Sequence, residues 1–359
     1  MSNIRVNTIN DASGGSAAVL YGVASPPNSM GFRNRIINGG MVIDQRNAGA
    51  SVTPAASTYT LDRWRFGCPS ARMSVQQNAG SVTPPDGFRN YIGATTTSAY
   101  TPGAAEAFTI AQFIEGNNVA DLMLGTANAK TFTLSFWVRS SLTGTFGAAF
   151  SNENGATRSY PFSYTISAAN TWEFKTVTVT GDTSGTWGTT TGVGLGVFFS
   201  LGAGSNFVGT AGAWATGDLR TVSGATSVVG TNGATFYITG VQLEAGSVAS
   251  PFERRDYGRE LMMCQRYYEQ GFWNQIFGYS VATNALARPF VPYLVQKRAT
   301  GTTTFNDNNG NNGKIYRNGS NKTAAVHNQF LNGLMLTSSD NLSGGYDDIA
   351  FNWYTSSEL

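Results

Sequence analysis

Apolar residues recur at every second position in three stretches of the chain. Residues 131–139 place Phe132, Leu134, Phe136 and Val138 on one face of a strand. Residues 172–180 alternate too, with Trp172 and Phe174 on one side and a register switch or bulge expected near Thr176. Residues 235–244 predict a third strand. Shorter strands are expected at 36–43, 64–66, 73–77, 108–114 and 193–201, separated by turn signals such as Asn78-Ala79-Gly80, Pro84-Pro85-Asp86-Gly87 and Asn232-Gly233. Towards the C-terminus, 290–295 reads as an edge strand because Pro292 cannot donate to a ladder. Residues 306–313 read as a polar loop and 348–355 as a last strand. One short helix is expected at 256–264, with Asp256 as N-cap and Leu261 and Cys264 on one face.

The pattern predicts an all-β protein in four segments. Residues 1–34 form a polar N-terminal extended arm. Residues 35–250 form a β-sandwich body, read as a jelly roll because many short strands occur with almost no helix-period sequence. Residues 251–270 are a short helical connector. Residues 271–359 form a smaller C-terminal β domain, too short for an independent core unless neighbours help to bury it.

Composition sharpens this reading. Only 12% of residues are charged, about half the usual share, and 43 of 359 are glycine. Ser, Thr, Asn and Gly take the place of charge, which suits strands joined by polar turns. A net charge of +2 gives no electrostatic reason for a nucleic-acid partner. No apolar run approaches the roughly 20 residues of a membrane helix, so membrane insertion is not expected. The first residues lack a signal-peptide core, so the protein is expected to be made in the cytoplasm and not exported by the ordinary route. Cys68 and Cys264 have no metal-type spacing, and their pairing stays open. The single histidine, His327, disfavours a Ser-His-Asp triad or a histidine-based metal site. No cofactor, metal or catalytic residue is expected. Asp347 and Asp348 are adjacent and point to opposite faces of a strand. A glycan hydrolase needs two carboxylates about 5 to 9.5 Å apart, and the convergence of Glu106, Glu115 and Asp121 that would supply them has no signature in the sequence. Gly192-Val193-Gly194-Leu195-Gly196 lacks the following helix of a nucleotide loop. Asp307-Asn308-Asn309-Gly310 lacks the closing glutamate of a calcium loop.

Several motifs carry a family resemblance. Asn38-Gly39-Gly40-Met41-Val42-Ile43-Asp44-Gln45-Arg46 followed by Tyr59-Thr60-Leu61-Asp62-Arg63-Trp64 resembles the opening of a domain found in bacteriophage tail-fibre and receptor-binding proteins. Gly240-Val241-Gln242-Leu243-Glu244-Ala245-Gly246, running to Ser250-Pro251-Phe252-Glu253, is similar to its closing motif, and Cys264-Gln265-Arg266-Tyr267-Tyr268 to the segment that follows. The terminal Tyr354-Thr355-Ser356-Ser357-Glu358-Leu359 resembles a frequent fibre ending, with Ser356-Ser357 in place of Ala-Asp, and Ser250 stands where Thr is usual. The strands at 132–139 and 172–180 look like those of a carbohydrate-binding-module jelly roll. The resemblance implies a non-enzymatic tail-fibre subunit of the virion, a homotrimer that contacts host cell-surface glycan. Residues 1–34 would dock onto other tail or baseplate proteins. Two alternatives stand beside it: a tailspike-like glycan depolymerase, and a head-fibre, collar or adaptor protein without a receptor role.

Sugar recognition needs an aromatic ring against the apolar face of a pyranose and polar groups for its hydroxyls. Trp137 and Arg139 alternate out of phase with the apolar face of their strand and so share the opposite side. Trp187 and Trp214 lie in Gly/Thr-rich stretches expected to be loops. Gln242, with Glu244, either lines a concave sugar site or belongs to a solvated sheet face. These five, Trp137, Arg139, Trp187, Trp214 and Gln242, are the candidate ligand contacts, each weighed against a packing role. Asp62, Arg63 and Trp64 are expected to build a salt-bridged structural corner, and 264–268 to pack between the two domains. Low overall charge predicts readout by rings and hydrogen bonds without salt-dependent steering.

Overall fold

A computed structural model describes residues 32–153, 157–280, 290–317, 320–338 and 345–359. The arm expected at 1–34 lies almost wholly outside the described residues. From Asn34 onward the chain is one unit.

Its strands run in the order β1 (Thr58–Leu61), β2 (Trp64–Gly67), β3 (Met73–Gln77), β4 (Ile92–Thr96), β5 (Ala107–Glu115), β6 (Phe132–Ser140), β7 (Gly144–Ser151), β8 (Arg158–Ile166), β9 (Glu173–Val179) and β10 (Val193–Ala203). The short β11 (Val208–Gly209), β12 (Ala215–Thr216) and β13 (Thr221–Val222) precede the long β14 (Thr235–Ala245). A seven-stranded sheet, β1-β2-β5-β10-β7-β8-β12, faces a five-stranded sheet, β3-β4-β14-β6-β9. This is the β-sandwich that the alternation predicts. Phe132, Leu134, Phe136 and Val138 of β6 enter one core with Phe108 and Ile110 of β5, Phe146 and Phe150 of β7, and Val197 and Phe199 of β10. Rings from the two facing sheets fill the space edge to face, as with Phe136 and Phe199 at 5.0 Å.

Two local expectations need correction. Residues 36–43 form no strand. Asn38 and Met41 adopt left-handed backbone, φ 58° and 57°, and the Asn38 side chain folds the segment on itself, bonding both the N–H and the carbonyl of Ile43. β9 carries no bulge at Thr176: its ladder with β6 runs unbroken from Val179 to Glu173, so Phe174 faces outward throughout. The bulge lies in β14, between Thr239 and Gln242. In the sandwich, β1, β4, β7, β8 and the short β11–β13 have no counterpart in the sequence reading. β7 is mostly small residues, and β8 contains Pro161, tolerated because β12 pairs only with Arg158 and Ser159.

Helix α1 (Tyr257–Gln265) starts after Asp256, whose carboxylate accepts a hydrogen bond from the Arg259 N–H at 2.9 Å. The chain then enters β15 (Tyr268–Ser280), β16 (Phe290–Pro292), β17 (Thr302–Asn306), β18 (Lys314–Arg317), β19 (Ser320–Phe330), β20 (Gly333–Ser338) and β21 (Gly345–Ser356). The sheet order is β15-β21-β18-β19-β20-β16, with β17 also on β21, so the proline-containing β16 is an edge. Val291, Tyr293, Phe305, Ile315, Leu334, Leu336, Ile349, Phe351 and Trp353 give this sheet a small core of its own.

A polar junction ties sheet to sandwich. Glu115, at the end of β5, accepts from Arg266 at 2.7 Å and from the Tyr267 hydroxyl at 2.7 Å. These bonds hold its carboxyl below the ordinary range against the opposing effect of burial. Arg63 is buried, stacks on the Tyr267 ring, and pairs with Glu358. Asp62 accepts from the Gln45 N–H at 2.7 Å and side chain at 2.6 Å, and the Trp64 indole N–H donates to the Asn38 carbonyl at 3.0 Å. The Asp62-Arg63-Trp64 motif is thus a structural corner. Cys68 and Cys264 are buried free thiols in separate apolar clusters.

Candidate functional site

The outer face of the five-stranded sheet carries an aromatic stripe. Trp137 on β6 and Phe174 on the adjacent β9 are cross-strand partners, with ring centroids 5.3 Å apart and planes at 50°. Phe174 is 46% exposed, unusual for a phenylalanine in a strand. On the other side of Trp137 lies β14, and there the bulge matters. Gly240 has φ 61°, and a Cβ at this position would sit 2.6 Å from Phe88 Cζ and 3.1 Å from Trp137 Cδ1. The bare backbone therefore lets Phe88 and Trp137 close over the strand. Phe88 packs edge-on against Phe252 at 5.0 Å. The result is a run of rings, Phe252, Phe88, Trp137 and Phe174, crossing the strands.

Arg139 follows Trp137 by two residues and shares its face. Its Nε donates to the Asn170 carbonyl at 2.9 Å, and its guanidinium lies over Tyr237 at 5.4 Å. Tyr237 belongs to a neighbouring cluster with Tyr91 and Trp172, anchored by the Trp172 N–H to the Thr83 carbonyl at 2.9 Å. Trp137 and Arg139 are thus brought together as alternation predicts, beside rings that were not singled out.

Gln242 is elsewhere in its role. It is 0% exposed, so neither a concave sugar site nor a solvated face describes it. Its Nε2 donates to Glu244 at 2.9 Å and to the Ser250 carbonyl at 3.2 Å, and its Oε1 accepts from the Glu253 N–H at 2.7 Å. Glu244 is capped in turn by the Ser250 N–H at 2.8 Å and hydroxyl at 2.6 Å. The Gln242-Leu243-Glu244 and Ser250-Pro251-Phe252-Glu253 motifs fold back on each other, and that fold-back carries Phe252 to the stripe.

Trp187 and Trp214 meet edge to face at 5.3 Å, at a different place on the sandwich. Their indole N–H groups donate to the Ser184 and Thr180 carbonyls at 3.0 and 2.8 Å. Trp187 is 8% exposed and forms one wall of a mostly apolar cleft of about 200 Å³ with Val119, Met123 and Leu124. Despite its loop placement, Trp187 packs like a core residue.

The carboxylates considered for hydrolysis have separate partners. Glu106 accepts from the Tyr100 hydroxyl at 2.6 Å, Glu115 from Arg266 and Tyr267, and Asp121 from Arg35 at 2.7 Å. Asp307 accepts from the N–H groups of Asn309 and Asn311, both at 2.9 Å, which makes its loop a self-contained turn.

No protein-family model matches the chain, and no curated protein is significantly similar to it. Among solved structures, the chain is similar to a putative sugar-binding protein from Bacteroides thetaiotaomicron, with 14% identity, TM-score 0.36, and coverage of 60% of this chain and 100% of that one. It is also similar to a family 11 carbohydrate-binding module from Clostridium thermocellum, solved with a mixed-linked tetrasaccharide, with 10% identity, TM-score 0.28, and coverage of 55% and 100%. A third similarity is to the enzymatically active domain of tailspike protein 4 of bacteriophage CBA120, with 14% identity, TM-score 0.31 and 59% of this chain covered. The matching part spans 21% of that tailspike chain.

Proposed function

We propose that the protein is a glycan-binding structural subunit of a bacteriophage tail fibre. The observation that carries this reading is the exposed Phe174 ring beside Trp137 and Arg139. Apolar rings on a sheet surface offer the flat faces that a pyranose stacks on, and the neighbouring guanidinium supplies donors for its hydroxyls. Thr176 and Thr178, also exposed on β9, add hydroxyl groups to the same face. The fibre assignment is supported by the motif resemblance at 38–46, 59–64, 240–253 and 264–268.

In this reading the active form is a homotrimer, docked through residues 1–34 on other virion proteins. The C-terminal sheet leaves Leu294 81% exposed and Phe290, Phe330 and Leu331 also exposed, and self-association gives these residues a partner surface. Three weak sites per fibre then act together, so adhesion arises from avidity. The test is adsorption of fluorescently labelled protein to host cells with and without alanine at Trp137 and Phe174. Loss of adsorption with retained thermal stability supports the reading, and unchanged adsorption overturns it. Light scattering tests the trimer: a monomer in solution removes that part.

A further inference from the structure

We infer that the aromatic face binds an acidic glycan, its anionic groups seated on Arg139 and Arg254. This rests on the glycan-binding reading of the same face and adds the class of ligand.

Arg254 is exposed, with its guanidinium 4.8 Å from the Phe88 ring centroid and 5.8 Å from that of Phe252. Arg139 lies over Tyr237 and donates through Nε to a backbone carbonyl. Among the described residues, neither is paired with a carboxylate, whereas Arg35, Arg46, Arg63, Arg158, Arg220, Arg255 and Arg266 all are. Among the described residues Arg65 and Arg72 also lie over rings, those of Phe113 and Tyr100, without an ion pair, so what distinguishes Arg139 and Arg254 is their place beside the exposed aromatic stripe. Two nearby acids are committed elsewhere: Glu253 accepts from the Asn34 N–H at 2.5 Å, and Glu173 holds Lys175 at 2.6 Å and the Ser167 and Ala168 N–H groups, while Asp86, beside Gly87 on the Arg254 side, is exposed and forms no ion pair among the described residues.

Both guanidinium groups lie within about 6 Å of ring centroids, and their Nη groups can donate outward. A planar fork of donors suits a carboxylate or phosphate oxygen pair far better than it suits a neutral hydroxyl. Adjacent strands lie about 4.8 Å apart, so the rings on β9, β6 and β14 span roughly 10 Å. A linear polymer with acid groups along its length therefore meets rings and guanidinium groups together. The low overall charge keeps this attraction local to the face.

The experiment is affinity electrophoresis of the full chain in native gels containing polygalacturonate, phosphomannan, or the neutral polymers galactan and mannan. Retardation is expected in at least one acidic gel, weakening with added salt, and little in the neutral gels. The polygalacturonate and phosphomannan lanes separate a carboxylate source from a phosphate one. R139Q and R254Q should each weaken the acidic interaction about tenfold, while K130Q, the same charge change at an exposed site outside the face, leaves it intact. Equal retardation by neutral and acidic polymers, abolished by W137A, overturns the acidic preference and keeps the glycan-binding reading. Retardation unchanged in R139Q and R254Q overturns the inference. No retardation by any polymer overturns both.

Discussion

Arg63 and Glu358 form a buried ion pair between positions 295 residues apart in sequence. Arg46 pairs with the same carboxylate at 2.9 Å, and the Tyr59 hydroxyl donates to the Leu359 carbonyl at 2.6 Å. Burial, with the Glu358 charge close by, pushes the Tyr59 hydroxyl up to about 12, so it stays protonated as a donor at any ordinary pH. Residues at the end of the sequence thus help to organise the corner that opens β2.

Breaking that pair from one side leaves an uncompensated buried charge. E358A should lower unfolding free energy by about 3–5 kcal/mol, measured by urea denaturation. Replacing both partners by methionine should cost less than the two single changes together, because the fully buried Arg63 charge is then not stranded and only the more exposed Arg46 loses its carboxylate. Additive losses would show that the pair itself contributes no coupling.

Gly240 offers a second test. G240A meets both a left-handed backbone and the ring of Phe88. It should destabilise by at least about 1–2 kcal/mol and shift tryptophan fluorescence as Trp137 is displaced. An unshifted spectrum with wild-type stability would show that the stripe does not depend on this glycine.

Gln242 should behave as a structural residue. Q242L removes the acceptor for the Glu253 N–H and a donor to Glu244, at a cost of about 1–3 kcal/mol. Glycan retention per folded molecule should be unchanged in the same gels. Loss of retention at wild-type stability would return Gln242 to the ligand site.

Asp62 gives a pH signature. Burial raises its carboxyl from 3.8 to about 6, against the lowering effects of Arg46 and the Gln45 donors. The folded state then holds a proton that the unfolded state has released, so this group's contribution falls as pH rises from about 4 to about 6. The difference in urea midpoint between wild type and D62N should therefore change across that window in favour of D62N at the higher pH. A constant difference would refute the raised value.

Much of this was legible because a two-residue period survives burial on one side. Phe132, Leu134, Phe136 and Val138 needed no partner to be recognised as a core face. The bulge at Gly240 had a signal too: the buried apolar residues shift from even positions, Phe236 and Ile238, to odd ones, Val241 and Leu243. Other features depend on distant chain. Ile36 and Ile43 look like strand residues, yet Asn38 binds the loop to the Asp62 carbonyl at 3.0 Å. Gln242 reads as surface by alternation, and only the return of Ser250 and Glu253 buries it. Trp187 sits in a sequence rich in Gly and Thr, and its burial comes from Val119, Leu124 and Trp214, which local sequence does not announce.

The C-terminal sheet begins at Tyr268 and returns at Ser356, and these two residues are direct partners in the β15–β21 ladder. Its way in and its way out are one doorway. A module attached in this manner can be lengthened, shortened or exchanged between those two residues while the sandwich receives the same pair of strand ends. The junction built from Glu115, Arg266, Tyr267 and Glu358 is then a standard fitting, and the sheet beyond it is free to diversify as a cassette.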